Sequence, residues 1–297
     1  MTKHMLFLGL GYVARHLARQ LAGRGWRISG TARDAEGVRR IGAEGWSGWL
    51  FDGTAALPQQ AWEGVTHVLS SVPPGEEGDP VLGMLGGELA RRAQALSWVG
   101  YLSTVGVYGD HGGAWVDEET PPAPVSERGR RRLAAERAWL GLHERTGVPV
   151  HVFRLPGIYG PGRSQLEKVA EGRRKALVVK EGQVFSRIHV DDLVAALLAS
   201  IDRPHPGRIY NVVDDEPAPP HEVTLHACRL LGVEPPPRVP FEEAGLSSMA
   251  RSFYGESKRV SNRRIREELG WEPRYPTYRE GLAALAARMD VDGGGGG

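Results

Sequence analysis

The chain has 297 residues, enough for one large domain or two modest ones. A charged share of 25% beside a hydrophobic share of 41% excludes a disordered chain and a membrane bundle. With 37 basic and 36 acidic residues there is no basic field to hold nucleic acid or anionic lipid, and one cysteine, Cys228, excludes an internal disulfide framework and a Cys-based zinc site.

The first apolar stretch, Met5–Leu10 behind Lys3, has the outline of a signal peptide. Gly9, Gly11 and Arg15 interrupt it, and a strand followed by a turn explains it better. The longest apolar run elsewhere, Leu193–Ile201, is far short of the ~20 residues a spanning helix needs, so a cytoplasmic protein is expected. Strands are predicted at His4–Leu8, Trp26–Thr31, Trp46–Phe51, His67–Ser71, Val99–Ser103 and Val150–Leu155. Helices are predicted between them at Tyr12–Ala22, Pro80–Leu96 and Arg128–Glu144. This alternation specifies an α/β fold, a doubly wound parallel sheet with helices on both faces. Beyond Leu155, turns rich in Pro and Gly appear at Pro156–Arg163, Pro217–Pro220 and Pro235–Pro240. A helix–strand pair, Val190–Ile201 and Arg208–Val213, is expected to rejoin the sheet. Further helices are expected at Glu222–Leu231, with Cys228 buried and inert in it, and at Asn262–Glu268 and Thr277–Met289. Phe241–Gly255 has weak periodicity and reads as a mobile flap. Gly293–Gly297 read as a disordered tail.

Gly9-Leu10-Gly11-Tyr12-Val13-Ala14 follows the first strand and opens the first helix, which fits the G-x-G-x-x-G/A dinucleotide fingerprint. Small residues allow a tight turn and close approach of backbone to a pyrophosphate, and the helix start offers free N–H groups. In a chain with 40 glycines the motif alone is weak, and its position between strand and helix is what gives it weight. The second strand runs into Thr31-Ala32-Arg33-Asp34. An acid here would accept from the 2′-hydroxyl of NAD, whereas Thr31 and Arg33 suit a 2′-phosphate, so NADP is expected with NAD as the alternative. Asp52, after the third strand, is placed to accept from an adenine amino group or to serve its own loop.

Three later segments make the chain resemble the extended short-chain dehydrogenase/reductases, the nucleotide-sugar epimerase and dehydratase group. They are Leu102-Ser103-Thr104-Val105-Gly106-Val107-Tyr108-Gly109, then Arg154-Leu155-Pro156-Gly157-Ile158-Tyr159-Gly160-Pro161-Gly162-Arg163, then Ile188-His189-Val190-Asp191-Asp192-Leu193 with Ile209-Tyr210-Asn211-Val212 behind it. Leu269-Gly270-Trp271-Glu272-Pro273 also fits, and the order and spacing cover nearly the whole chain. The resemblance implies a Rossmann-like domain over residues 1–155, with 188–215 returning to it. It implies a smaller substrate lobe from 156–187 and 216–292. It makes Thr104 the match to the family's catalytic Ser/Thr, whose hydroxyl holds the reacting oxygen of a sugar. Ser70, Arg132 and Pro156 complete the expected cofactor set. Members often pair through a four-helix bundle, so a homodimer is one expected state.

Two departures matter. Aligned on Gly11, the family's first and last turn glycines become Leu8 and Ala14. The family's Tyr-x-x-x-Lys becomes Arg128 and Arg132 within Ser126–Glu136. Arginine stays protonated and cannot act as the tyrosine does, which removes an acid–base contribution of roughly 10² to 10⁴ in rate. Arg132 could still hold the nicotinamide ribose, and Arg128 could face a bound anion. The four arginines at Arg128 and Arg130–Arg132 otherwise read as a solvated basic face offset by Asp117, Glu118, Glu119 and Glu127. Tyr108 is the stand-in candidate for catalysis, and Tyr159, Arg163 and Lys258 join Arg128 as substrate candidates. The plainer reading makes both tyrosines packing residues, gives His189 a local cap, and makes Ser261 or Asn262 a helix cap. No metal-binding spacing, G-x-S-x-G or Walker A motif occurs. The expected function is an NAD(P)-dependent oxidoreductase or epimerase-like protein acting on a small or sugar-like substrate. The alternative is an NADP(H)-binding sensor or scaffold without redox catalysis.

Overall fold

The computed structural model describes residues 2–293, and Gly294–Gly297 of the expected tail lie outside them. Strand β1 (His4–Leu8) is buried at every position, as a central parallel strand covered on both faces must be. Helix α1 (Tyr12–Gly23) follows and buries Val13, Ala14, Leu17, Ala18 and Leu21, one stripe at helical spacing. Then come β2 (Arg27–Ala32), α2 (Ala35–Ala43), β3 (Ser47–Leu50), β4 (His67–Ser70), α3 (Pro80–Arg91) and β5 (Trp98–Thr104). After β6 (Trp115–Val116) the chain makes α4 (Glu127–Thr146), β7 (Val150–Leu155), β8 (Gly157–Tyr159), α5 (Gln165–Ala170), β9 (Leu177–Val179), β10 (Arg187–His189), α6 (Val190–Asp202) and β11 (Ile209–Asn211). The last elements are α7 (Pro220–Leu231), β12 (Arg238–Pro240), α8 (Ser248–Phe253), β13 (Arg259–Val260), α9 (Arg263–Leu269) and α10 (Tyr278–Gly293).

Seven strands form one sheet in the order β11-β7-β5-β4-β1-β2-β3. β1 runs parallel to β2 and β4, β2 to β3, and β4 to β5. The chain reverses its direction of travel across the sheet between β1 and β4, which is the Rossmann-like switch point at which dinucleotides bind in such sheets. The core on one face gathers Leu6, Leu8, Val68, Val99, Tyr101 and Val152 with Trp62 and Trp139. Asp79 caps α3 by accepting from the N–H groups of Val81 and Leu82, and its other oxygen accepts from Trp139 Nε1 of α4 at 2.9 Å. One carboxylate thus starts α3 and ties it to α4.

The chain divides into two compact units. The first is Met1–Val107, Glu127–Arg154 and Ala196–Tyr210, and the second is Tyr108–Ser126, Leu155–Ala195 and Asn211–Gly297. Compared with the sequence-based boundaries, the segment returning to the sheet is shorter than 188–215, and 108–126 joins the second unit. The reason for the second difference is local: β6 within 108–126 pairs in parallel with β13, and Arg264 of α9 bonds Glu119. The second unit has its own core of Tyr159, Leu166, Val223, Tyr278 and Leu282 under α5, α7 and α10. The predicted strands and long helices are present with ends shifted by a few residues. Helix α3 stops at Arg91 rather than Leu96, because a turn on Arg92 O brings Ser97 N–H to Thr66 O and feeds β5 into the sheet. Among the described residues no helix is long and apolar enough to cross a membrane.

Candidate functional site

The turn between β1 and α1 is built from backbone constraints. Gly9 has φ +85°, and a Cβ there would lie 2.9 Å from Ser71 Oγ, so only glycine fits. Gly9 N–H donates to Thr31 Oγ1 at 2.8 Å, Leu10 N–H to Thr31 O at 3.1 Å, and Ser71 Oγ–H to Gly9 O at 2.5 Å. Gly11 then starts α1 in extended conformation with open space where a side chain would stand. No side chain caps α1 and its first turn carries no acid, so its N–H groups and partial positive charge remain available to an anion. Val13 and Ala14 are buried in the helix stripe, and Tyr12 lies edge-on to His16 at 4.7 Å. Ser70, at the end of the neighbouring strand, is fully buried with no hydrogen-bond partner for its hydroxyl. An open glycine cradle, an uncapped twelve-residue helix and an orphan hydroxyl beside them fit the pyrophosphate of a dinucleotide.

The residues after β2 separate into distinct roles. Thr31 is buried, and its hydroxyl oxygen staples the glycine turn, which corrects its expected part in reaching a 2′-phosphate. Asp34 Oδ1 accepts from Gly37 N at 2.7 Å and so caps α2. Arg33, between them in the bend, is exposed. Asp52 is also exposed, and its Oδ1 accepts from both Thr54 Oγ1 and Thr54 N, which holds its carboxyl below the usual range and makes it a turn residue.

At the end of β5, Thr104 is half-buried and its Oγ1 accepts from Gly106 N at 3.1 Å, leaving the hydroxyl proton to donate elsewhere. Beneath it, Ser103 Oγ donates to Glu136 Oε1 at 2.5 Å, and Glu136 pairs with Arg154 at 2.8 Å with both charges almost wholly buried. Sequence reading passed over Glu136. The signal available was Arg154, a charged side chain inside the mostly apolar run Val150–Leu155, which requires a partner. Arg132 lies against β5, donating to Leu102 O with its guanidinium over the Tyr101 ring. Arg128 is exposed, Arg130 pairs with Glu127, and Arg131 pairs with Glu127 and Glu76. Tyr108, the stand-in acid–base candidate, is fully buried and its hydroxyl donates to Asn211 Oδ1 at 2.9 Å, so it has no surface from which to meet a substrate.

The second unit contains a cavity of about 260 Å³ between β8, β10, α5, α7 and α10. It brings together two of the substrate candidates, Tyr159 and Arg163, with Lys168, Arg187 and Tyr278. Tyr159 is buried with no hydrogen-bond partner for its hydroxyl, and burial pushes its pKa up. Lys258 does not join them. Its ammonium is buried, donating to Gly109 O at 2.6 Å and pairing with Glu256 at 2.7 Å, so it fastens the segment after β5 instead of meeting a phosphate. Pro156 is half-buried between β7 and β8. His189 caps α6 by accepting from Asp191 N at 3.1 Å, and Ser261 Oγ accepts from Arg263 N at the start of α9.

Relatives match the architecture. Residues 88–213 match the NAD dependent epimerase/dehydratase family. Protein YeeZ of Escherichia coli strain K12 is 30% identical over 290 residues, covering 92% of this chain and 97% of that protein. The chain belongs to the NAD-dependent epimerase/dehydratase family. Within solved structures, a functionally unknown conserved protein from Silicibacter pomeroyi DSS is 51% identical, with a TM-score of 0.90 over 97% of this chain and 99% of that one. A dTDP-glucose 4,6-dehydratase from Bacillus anthracis in complex with NAD shares the fold, with 18% identity and a TM-score of 0.77 over 98% of this chain and 97% of that one.

Proposed function

We propose that the protein is a cytoplasmic NADP(H)-dependent oxidoreductase or epimerase-like enzyme of this family, acting on a small or sugar-like substrate with an altered acid–base apparatus. The observation that carries the cofactor preference is the division of labour after β2: Asp34 is committed to capping α2, while the adjacent Arg33 is exposed and charged. A guanidinium there suits a 2′-phosphate through charge-assisted hydrogen bonds, and a carboxylate occupied by backbone N–H is less able to accept from a 2′-hydroxyl. Gly9 and Gly11 admit the pyrophosphate, and the start of α1 balances its charge. A bound nicotinamide supplies the hydride donor or acceptor. Thr104 can donate its hydroxyl proton to a substrate oxygen, since its own oxygen already accepts from Gly106. Arg128 and Arg132 can offer charge and N–H donors to a bound group.

The test is calorimetric binding of NADP(H) and NAD(H) to the full chain. NADP(H) is expected to bind more tightly, and Arg33→Ala to weaken NADP(H) by tenfold or more while leaving NAD(H) unchanged. Equal affinity for both nucleotides in the wild type would reject the preference, and binding of neither would reject the cofactor reading. A second reading, a cofactor-binding sensor or scaffold without turnover, is favoured by Arg128 and Arg132 standing at the Tyr and Lys positions. NADPH oxidation in a panel of carbonyl and sugar substrates distinguishes the two.

A further inference from the structure

The cavity in the second unit has a charge pattern that the proposed reaction does not use. Arg163, Lys168 and Arg187 line it, and no carboxylate does. Arg187 is half-buried, with its side chain in the cavity wall. Its Nη1 donates to the carbonyl oxygens of Phe185 and Ala218 at 2.8 and 3.0 Å, and among the described residues it forms no ion pair. Asp214 is the acidic group that acts most strongly on it. Burial pushes the Asp214 carboxyl well above its usual range, and the Arg187 guanidinium acts against that shift. A guanidinium carries five N–H donors, and both carbonyl bonds of Arg187 leave from one nitrogen, so donors remain for a ligand.

The rest of the wall adds to the pattern. Lys168 is half-buried, and its pKa is lowered first by burial and then by Arg174, Arg173 and Arg163 around it. Arg174 is held there by a bond from its Nε to Gln165 Oε1 at 2.9 Å. Tyr159 and Tyr278, both lining the cavity, bury hydroxyls that have no partner. Among the described residues the same space therefore combines basic side chains with unpartnered hydroxyls, and at about 260 Å³ it admits a small anion.

We propose that this cavity binds a small molecule through a phosphate or carboxylate group, held by Arg187 and Lys168, with Arg163 at its edge. The identification of that molecule as the substrate rests on the functional reading above, whereas the anion site itself does not. Bidentate hydrogen bonding from a guanidinium is the geometry that recognises either oxyanion, and an ammonium adds charge without fixing orientation.

The experiment titrates the full chain with inorganic phosphate and, in a separate arm, with succinate, by calorimetry. Saturable binding is expected. Preference for phosphate or for succinate identifies the ligand class. Lys168→Gln should weaken binding at least tenfold, and Arg187→Met should abolish binding. Arg24→Gln, an exposed control in the first unit, should leave it unchanged. If Arg187→Met does not fold, Lys168→Gln carries the test. Absence of saturable binding by both anions, or binding indifferent to Lys168→Gln, overturns the proposal. The site and the cofactor reading fail separately: Arg33→Ala should affect NADP(H) and spare phosphate, and Lys168→Gln the reverse.

Discussion

At the scale of single residues, the chain shows how position decides the use of a charge. Arg154 and Glu136 are both arranged inside the first unit, and each has side-chain exposure of 3% or less. Their pair also accepts Ser103, directly before Thr104 at the end of β5. Breaking one member leaves an uncompensated buried charge, so Glu136→Gln should lower unfolding free energy by about 3 kcal/mol or more. Urea denaturation checks this, and the double variant Glu136→Met with Arg154→Met should recover part of the loss. A single-variant loss under about 1 kcal/mol would mean that the pair is not held dry. Arg33, by contrast, is exposed and costs the fold nothing to keep charged, which is why it is available to a ligand. Neither role is visible in residue type, because both are arginines near strand ends. Arg154 was nevertheless readable as needing a partner, since an apolar parallel strand does not otherwise tolerate a charge.

At the scale of elements, local signals were legible where several agreed. β1 and α1 combine an apolar run, two glycines and a helical stripe, and the structure has both at the expected positions. Helix α2 went unpredicted because Ala35–Ala43 contains Gly37 and Gly42 and buries only Gly37 and Ile41. Its signal was Asp34, a capping residue, and its reason is packing: a Cβ on Gly37 would lie 2.6 Å from Ala32 Cβ, so the glycine lets the helix approach β2. Asp34→Ala should cost about 1 kcal/mol through loss of the cap. Thermal unfolding measures that cost, and the NADP(H) preference should persist because Arg33 is untouched. A selective loss of NAD(H) affinity in the variant would instead show that Asp34 accepts from the ribose 2′-hydroxyl, against the division of labour proposed above. The short strand pairs β6 with β13, β8 with β10 and β9 with β12 were not readable, since two or three residues carry no periodicity and each pairing is long-range.

At the scale of the whole molecule, buried titratable groups couple stability to pH. His67 and His151 lie in the first unit, and burial, aided at His67 by Lys3, lowers each to about 4 from the usual 6.5. A group whose folded pKa is depressed favours the folded state while it is neutral. Their contribution is therefore complete above about pH 6.5 and is lost as pH falls towards about 4. Asp214 works in the other direction, because protonation suits its burial. Comparing wild type with the double variant His67→Asn and His151→Asn isolates the histidines. Between pH 7 and 4.5 the wild type should lose more of its urea midpoint than the variant. Parallel losses would show that neither ring is kept neutral by burial.

The sequence by itself determined the layered α/β fold, the glycine turn and the family, because these rest on local patterns: apolar runs of strand length, helical stripes, and small residues at fixed spacing. Tertiary structure alone decided which candidates have a free face. Thr31, Tyr108 and Lys258 carry the right chemistry but are committed to a turn, a buried hydrogen bond and a buried ion pair. Arg187, which no motif singled out, lines a cavity with Arg163 and Lys168. Such outcomes depend on burial and on partners distant in sequence, and desolvation by neighbours that fold together has no signature in a residue's own position.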